Sequence, residues 1–198
     1  MKRIMFVMMC FVVMYHLAFT QDFIITGPDD EMLVVEDDKI KASSYLKDST
    51  TNDYGPQQAY DGKEKTAWCV GKGGIGEWIQ FYFRPDLSSY DKVLKGKRNV
   101  YRVGIINGLA ASRRLYYDNN RIKKLLVEFD SGKRRVIELK DGILDYQYFI
   151  FNIRSRWIKL TIMDIYRGAK YNDTCMSEIY FRTIYDITDE ERKKVFGR

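Results

Sequence analysis

The sequence has one histidine in 198 residues, His16, and it lies inside an apolar N-terminal run. Catalytic Ser-His-Asp and Cys-His pairs, histidine zinc sites and imidazole acid–base chemistry all need a ring that the body of the chain lacks. Proline is scarce, at three residues, and no internal repeat or low-complexity stretch occurs, so one domain of sandwich or barrel size is expected. Neither sign of charge dominates: 33 Lys and Arg stand against 27 Asp and Glu, a net +6. That excess is too mild to argue for nucleic acid. Aromatic residues are plentiful at 15%, led by 15 Tyr, in a chain that is 45% hydrophobic. Such a composition excludes disorder and leans towards β-structure.

Met1-Lys2-Arg3 is a positive start, and Ile4 to Phe19 is then apolar almost throughout. That run is short of the roughly 20 residues of a membrane-spanning helix. Ala18-Phe19-Thr20 offers a small-x-small pattern before Gln21, so residues 1–20 read as an export signal, with an uncleaved membrane anchor as the alternative. A lipoprotein reading through Cys10 fails, because Val7-Met8-Met9 lacks the small residues that reading needs. Removing Lys2 and Arg3 leaves 31 basic against 27 acidic side chains, a net +4. Export places the product outside the cell or in the envelope. It also removes Cys10 and leaves two cysteines, Cys69 and Cys175. In an oxidising compartment such a pair is either a disulfide or two buried thiols, and the even count favours the disulfide.

Period-2 alternation recurs through the body of the chain. Ile79, Phe81 and Phe83 form one inward set; Tyr101, Val103 and Ile105 a second; Leu125, Val127 and Phe129 a third. Asp130-Ser131-Gly132 then makes a tight turn into a strand carrying Val136 and Ile137, which reads as a hairpin. Tyr146–Phe151, Trp157–Ile165 with Ile158, Leu160 and Ile162 inward, and Ser177–Phe181 follow, with shorter candidates at Met32–Val35 and Ile40–Ser43. About seven to nine short strands predict an all-β sandwich or jelly roll. Arg84–Asn99 reads as a long Lys-rich loop. Helix is expected only in the tail, where Thr188 to Glu191 has capping-box spacing.

Several motifs carry candidate chemistry. Gly71-Lys72-Gly73-Gly74-Ile75-Gly76 contains a G-x-G-x-x-G, but a strand follows it where a dinucleotide fold needs a helix. A loop that lets backbone pass close to its neighbours is the better account. Asp61-Gly62 with Thr66 is either a simple turn or part of an oxygen-rich cation site, which Glu178 completes only if the ends of the domain meet. Arg113 to Arg121 is the densest polar–aromatic cluster, a solvated loop or a sugar- or peptide-recognition surface in which rings stack and amides hydrogen-bond. No acid pair stands in a context that signals glycoside hydrolysis.

Lys41-Ala42-Ser43-Ser44, Ala59-Tyr60-Asp61-Gly62 to Thr66-Ala67-Trp68, and Gly76-Glu77-Trp78-Ile79, in this order and spacing, resemble the opening of discoidin domains, the coagulation factor 5/8 type C, galactose-binding-like family. Ile105-Ile106-Asn107-Gly108, Asn119-Asn120-Arg121-Ile122-Lys123 and the stretch Tyr166–Ile179 resemble one branch more closely, the translocation domain of streptococcal NAD glycohydrolase and its relatives. The resemblance runs from about Lys39 to Phe181. It implies an eight-stranded jelly-roll sandwich that binds rather than catalyses, and it brings the domain ends together. Asp61, Thr66 and Glu178 then fall where related domains hold one structural calcium ion. Leu109 departs from the pattern, which often has Tyr there and so a stacking ring. The relative's enzymatic name does not carry over.

The expected organisation is a signal peptide at 1–20, an N-terminal extension at 21–38, the sandwich at 39–185 and a helical tail at 186–198. The expected function is non-catalytic recognition of a glycan at a cell surface or envelope, with a protein adaptor using the same loop face as the alternative. Membrane contact is expected only through an uncleaved N-terminal segment, and nucleic acid is not expected as a partner. Tyr54 with Gln57, Asn107 to Asn120 and the Gly71–Gly76 loop are expected to converge at one end. Tyr116 or Tyr117 would stack on the ligand, Asn107 and Asn119 would hydrogen-bond it, and Arg113 or Arg121 would donate with charge, unless Arg121 instead braces the loop from below.

Overall fold

The computed structural model describes residues 30–47, 53–84 and 98–184. The segment read as an export signal, most of the Arg84–Asn99 loop and the helix expected after Thr188 lie outside these residues. Ten strands are present among the described residues: β1 (Asp30–Met32), β2 (Lys41–Ala42), β3 (Trp68–Val70), β4 (Trp78–Tyr82), β5 (Arg98–Asn107), β6 (Asn120–Phe129), β7 (Arg134–Glu138), β8 (Gln147–Ser155), β9 (Trp157–Tyr166) and β10 (Thr174–Ile184). One short helix, α1 (Arg113–Asp118), stands between β5 and β6. Among the described residues no helix is long and apolar enough to cross a membrane.

The strands hydrogen-bond in the order β2-β4-β9-β6-β10-β5-β8, with β1 and β3 on β10 and β7 on β6. Only two parallel pairs, Thr174 with Asn120 and Cys175 with Arg121, join β10 to β6. There the ladder folds back on itself. Phe81 on β4 and Phe181 on β10 are separated by two intervening strands, yet their rings meet edge-to-face at 5.2 Å. The layers β2-β4-β9-β6 and β10-β5-β8 therefore face each other across one core, which is the jelly-roll sandwich. The chain ends of the sandwich do meet, since Asp30 on β1 pairs with Ile184 on β10.

Alternation placed most of the core correctly. Ile79, Phe81, Val103, Ile105, Leu125, Val127, Phe129, Ile158, Leu160 and Ile162 are all buried in it. Tyr101 is a correction. The register with β8 slips between Val100 and Arg102, so this bulge turns Val100 inward and leaves Tyr101 half-buried. Leu33 and Val35, in the segment read as an extension, also belong to the core.

The glycine loop holds its place for the reason its composition suggested. Gly74 has φ +72°, and a Cβ there would lie 2.7 Å from Val70 Cγ2 and 3.0 Å from Thr174 Cβ. The Gly73 N–H donates to Asn172 O at 2.8 Å, and Thr174 Oγ1 donates to Gly73 O at 2.8 Å. The loop is thereby tied against the start of β10.

Candidate functional site

A cleft of about 380 Å³ opens at the end of the sandwich where β3 meets the start of β10. Cys69 lies opposite Cys175 in that antiparallel pair, with Cα atoms 4.1 Å apart, and the two form a disulfide. Backbone hydrogen bonds hang the neighbouring segments from β3: Leu46 N–H donates to Cys69 O, and Cys69 N–H donates to Tyr54 O. Helix α1 closes the other side. Its N-cap is Ser112, whose Oγ accepts the Leu115 N–H at 3.2 Å. Leu46, Leu109 and Leu115 pack with the disulfide into a small apolar cluster that floors the cleft. Tyr54, Asn119, Tyr171, Asp173 and Lys47 supply the rest of the lining.

Of the seven residues expected to bind a ligand, Tyr54 and Asn119 line this cleft. Asn119 is buried, and its Nδ2 donates to Leu115 O at 2.9 Å, so the amide also secures the end of α1. Asn107 is a correction. It is fully buried; its Oδ1 accepts the Gly108 and Ile122 N–H groups and its Nδ2 donates to Ile122 O at 2.7 Å. Tyr116 is another. It has no exposed surface, its hydroxyl donates to Asp141 Oδ1 and accepts the Gly142 N–H, and burial pushes its pKa up to about 12. Arg121 is a third: 5% exposed, it forks onto Asp141 at 3.1 and 2.7 Å and donates to Asn119 O and Arg167 O. Those hydrogen bonds hold the Asp141 carboxyl below the usual range.

Tyr117 and Arg113 are not in the cleft lining. Tyr117 sets its edge to Tyr116 at 5.1 Å, and exposed Arg113 lies 5.6 Å over the Tyr117 ring. Gln57 is exposed in the Pro56–Ala59 turn, also away from the cleft. The Gly71 end of the glycine loop does reach this region, against Leu46 and Asp173. Sequence reading missed Tyr171 and Asp173, although both stand in the stretch Tyr166–Ile179 that resembles the family. It also missed α1, for which Ser112 ahead of Leu115 was the one local signal.

The second constellation lies along β10. Thr66 Oγ1 is 2.9 and 3.0 Å from the Asp61 carboxylate oxygens. Glu178 is 3% exposed; its Oε1 accepts the Ile179 N–H, whereas its Oε2 is buried without a hydrogen-bond partner. Burial pushes the Glu178 pKa up to about 7, and the nearby Asp61 charge adds to this. Two carboxylates, one of them with this orphaned oxygen, and a hydroxyl make a donor set that fits a hard cation. Among the described residues no group of three or more His, Cys, Asp and Glu side chains could hold a metal. A separate hollow of about 300 Å³ beside Glu178 is lined by Met32, Tyr60, Tyr146 and Tyr180.

The sequence matches the NAD glycohydrolase translocation F5/8 type C domain over residues 34–182. The chain belongs to this family. A search of curated proteins found no match. Among solved structures, a family 32 module from Clostridium perfringens in complex with GalNAc-β-1,3-galactose is 17% identical, with a TM-score of 0.51 over 72% of this chain and 93% of that one. The family 32 module of Clostridium perfringens NanJ in complex with galactose is 14% identical, with a TM-score of 0.50 over 77% and 98%. An F5/8 type C domain from Bacteroides fragilis is 14% identical, with a TM-score of 0.51 over 80% and 99%. At these identities the likeness is one of fold. The F5/8 family and these neighbours agree with the discoidin-like sandwich expected from sequence.

Proposed function

We propose that this protein is an exported, non-catalytic recognition domain that binds a glycan in the cleft at the disulfide end, at a cell surface or envelope. The observation that carries the reading is the make-up of that cleft. A rigid apolar floor lies beneath two tyrosine rings, with Asn119, Asp173 and Lys47 among its lining. Sugar recognition uses this combination, because a ring covers the apolar face of a pyranose while polar groups read its hydroxyls. Tyr171, 41% exposed, is the ring best placed to meet a ligand, and it takes the role first given to Tyr116 or Tyr117. Among the described residues the cleft lining holds one carboxylate, Asp173, where glycoside hydrolysis uses two. The neighbours crystallised with galactose-containing ligands lend the same support.

Affinity for a single sugar is expected to be weak, since an open cleft gains little to offset lost translational freedom. On a glycan array, the wild type should bind a defined set of saccharides. Tyr171→Ala should lose that signal with little change in melting temperature, and Tyr54→Ala should weaken it. Wild-type binding that survives both substitutions places the ligand elsewhere. The adaptor alternative was expected on the same loop face; exposed Met32, Tyr148 and Ile150 offer it a different one, and it gains if the wild type binds no glycan but captures an envelope protein.

We also propose that Asp61, Thr66 and Glu178 hold one structural calcium ion. The pH behaviour tests this. Glu178 has its pKa raised on folding, from 4.5 to about 7. The folded state therefore binds the proton more tightly, and stability of the metal-free protein should fall as pH rises through that window. Calcium should restore the loss at pH 7 and above and raise the melting temperature there. Glu178→Gln should flatten both the pH dependence and the calcium response. Equal melting curves with calcium and with chelator at pH 8 remove the ion from this account.

A further inference from the structure

We propose that Asp173 is the specificity-determining residue of the cleft and selects neutral, hydroxyl-rich saccharides over carboxylated ones, an inference that rests on the glycan reading above. Asp173 sits one residue before β10 on a segment anchored from several sides. Its backbone oxygen accepts the Asn120 N–H at 2.9 Å, Asn172 O accepts the Gly73 N–H at 2.8 Å, and Cys175 is cross-linked to β3. The backbone position is therefore set before any ligand arrives. Asp173 lines the cleft floored by Leu46, Leu109 and Leu115, and Gly71 passes 3.8 Å from its Oδ1 (measured from the Cβ that glycine lacks).

The bland account of such a group is an ion pair with Lys47, the other charged residue in the cleft lining. The surroundings of both groups argue against it. Lys47 is drawn to Tyr45, its ammonium 5.3 Å over that ring, with Asp53 as the nearby acid. Burial alone acts on Asp173 and pushes its carboxyl above the usual range, whereas an ammonium in contact would pull it down. Among the described residues Asp173 has no hydrogen bond or ion pair through its side chain. A part-buried carboxylate in this state is an acceptor awaiting donors, and vicinal hydroxyls of a neutral sugar supply two. A uronic or sialic acid would set its own carboxylate against an unpaired like charge in a partly dry cleft, which is a penalty built against the wrong ligand.

The test is an array of paired saccharides, each neutral hexose matched by its hexuronate, probed with the full-length protein. The wild type should bind neutral members and not their carboxylated partners. Asp173→Asn should lower neutral binding about tenfold or more and bring in binding to carboxylated members. Asp173→Glu keeps the charge but moves it, so it should weaken neutral binding while still excluding the hexuronates. That variant and a melting curve for each protein guard against a folding artefact. If the wild type binds both classes alike, or Asp173→Asn keeps its neutral affinity, the specificity role is wrong while the glycan reading stands. If the wild type binds no saccharide at all, both fall together.

Discussion

Replacing Cys69 and Cys175 with serine should lower stability by about 4 kcal/mol, since the cross-link spans 106 residues and the denatured chain without it gains that loop's freedom. For a domain of this size the melting temperature should drop by about 10 °C. Binding should fall as well, and for a local reason. The disulfide joins β3 to β10 in the floor of the cleft, and Leu46 and Tyr54 hang from β3 by backbone hydrogen bonds. Thermal melts of the double variant, with array binding below its melting temperature, separate the two effects. A melting temperature within 2–3 °C of the wild type would falsify the view that the bond holds this end of the sandwich together.

Arg121→Ala is expected to cost about 3 kcal/mol, in the range for breaking a buried pair by removing one partner. The side chain is 6% exposed, whereas Asp141 is 34% exposed, so water recovers part of the loss. Four further groups lose a partner or a packing surface: Asn119 O, Arg167 O and the Tyr116 and Tyr117 rings, each 5.4 Å from the guanidinium. Arg113→Ala, at an exposed position over one tyrosine, should change stability by no more than about 0.5 kcal/mol. The sequence offered either arginine as a donor to a ligand, with a brace under the loop as the alternative for Arg121, and the brace is what the structure shows. Equal melting temperatures for the two variants would contradict the structural role given to Arg121.

That pair shows where sequence reading reached its limit. Strands were legible because each needs only its own alternation: Leu125, Val127 and Phe129 declare an inward face without reference to any other residue. The disulfide was legible by arithmetic, once the export reading set Cys10 aside. The cation set came from the family resemblance, and the fold brings Glu178 close enough for the Asp61 charge to act on it. Of the residues read as a ligand face, three lie inside the fold. Asn107, Tyr116 and Arg121 are polar, and polar residues in a turn-rich stretch read as solvent-facing. Their partners, Ile122, Gly142 and Asp141, lie 15, 26 and 20 residues away, and only the sandwich brings them into contact. The cleft itself is assembled from segments around Leu46, Tyr54, Cys69, Leu109 and Tyr171, which no local pattern links.

The most direct test of the central claim is a map of backbone amide shifts as saccharide is added. Among the described residues the cleft over the disulfide competes with the hollow bounded by Tyr146 and Tyr180. Titration with the best array ligand should move the amides of Leu46, Tyr54, Leu115, Tyr171 and Asp173 and leave those of Tyr146, Tyr148 and Tyr180 in place. Shifts confined to the Tyr146–Tyr180 side, or none with any saccharide, would contradict the assignment of the cleft as a glycan site.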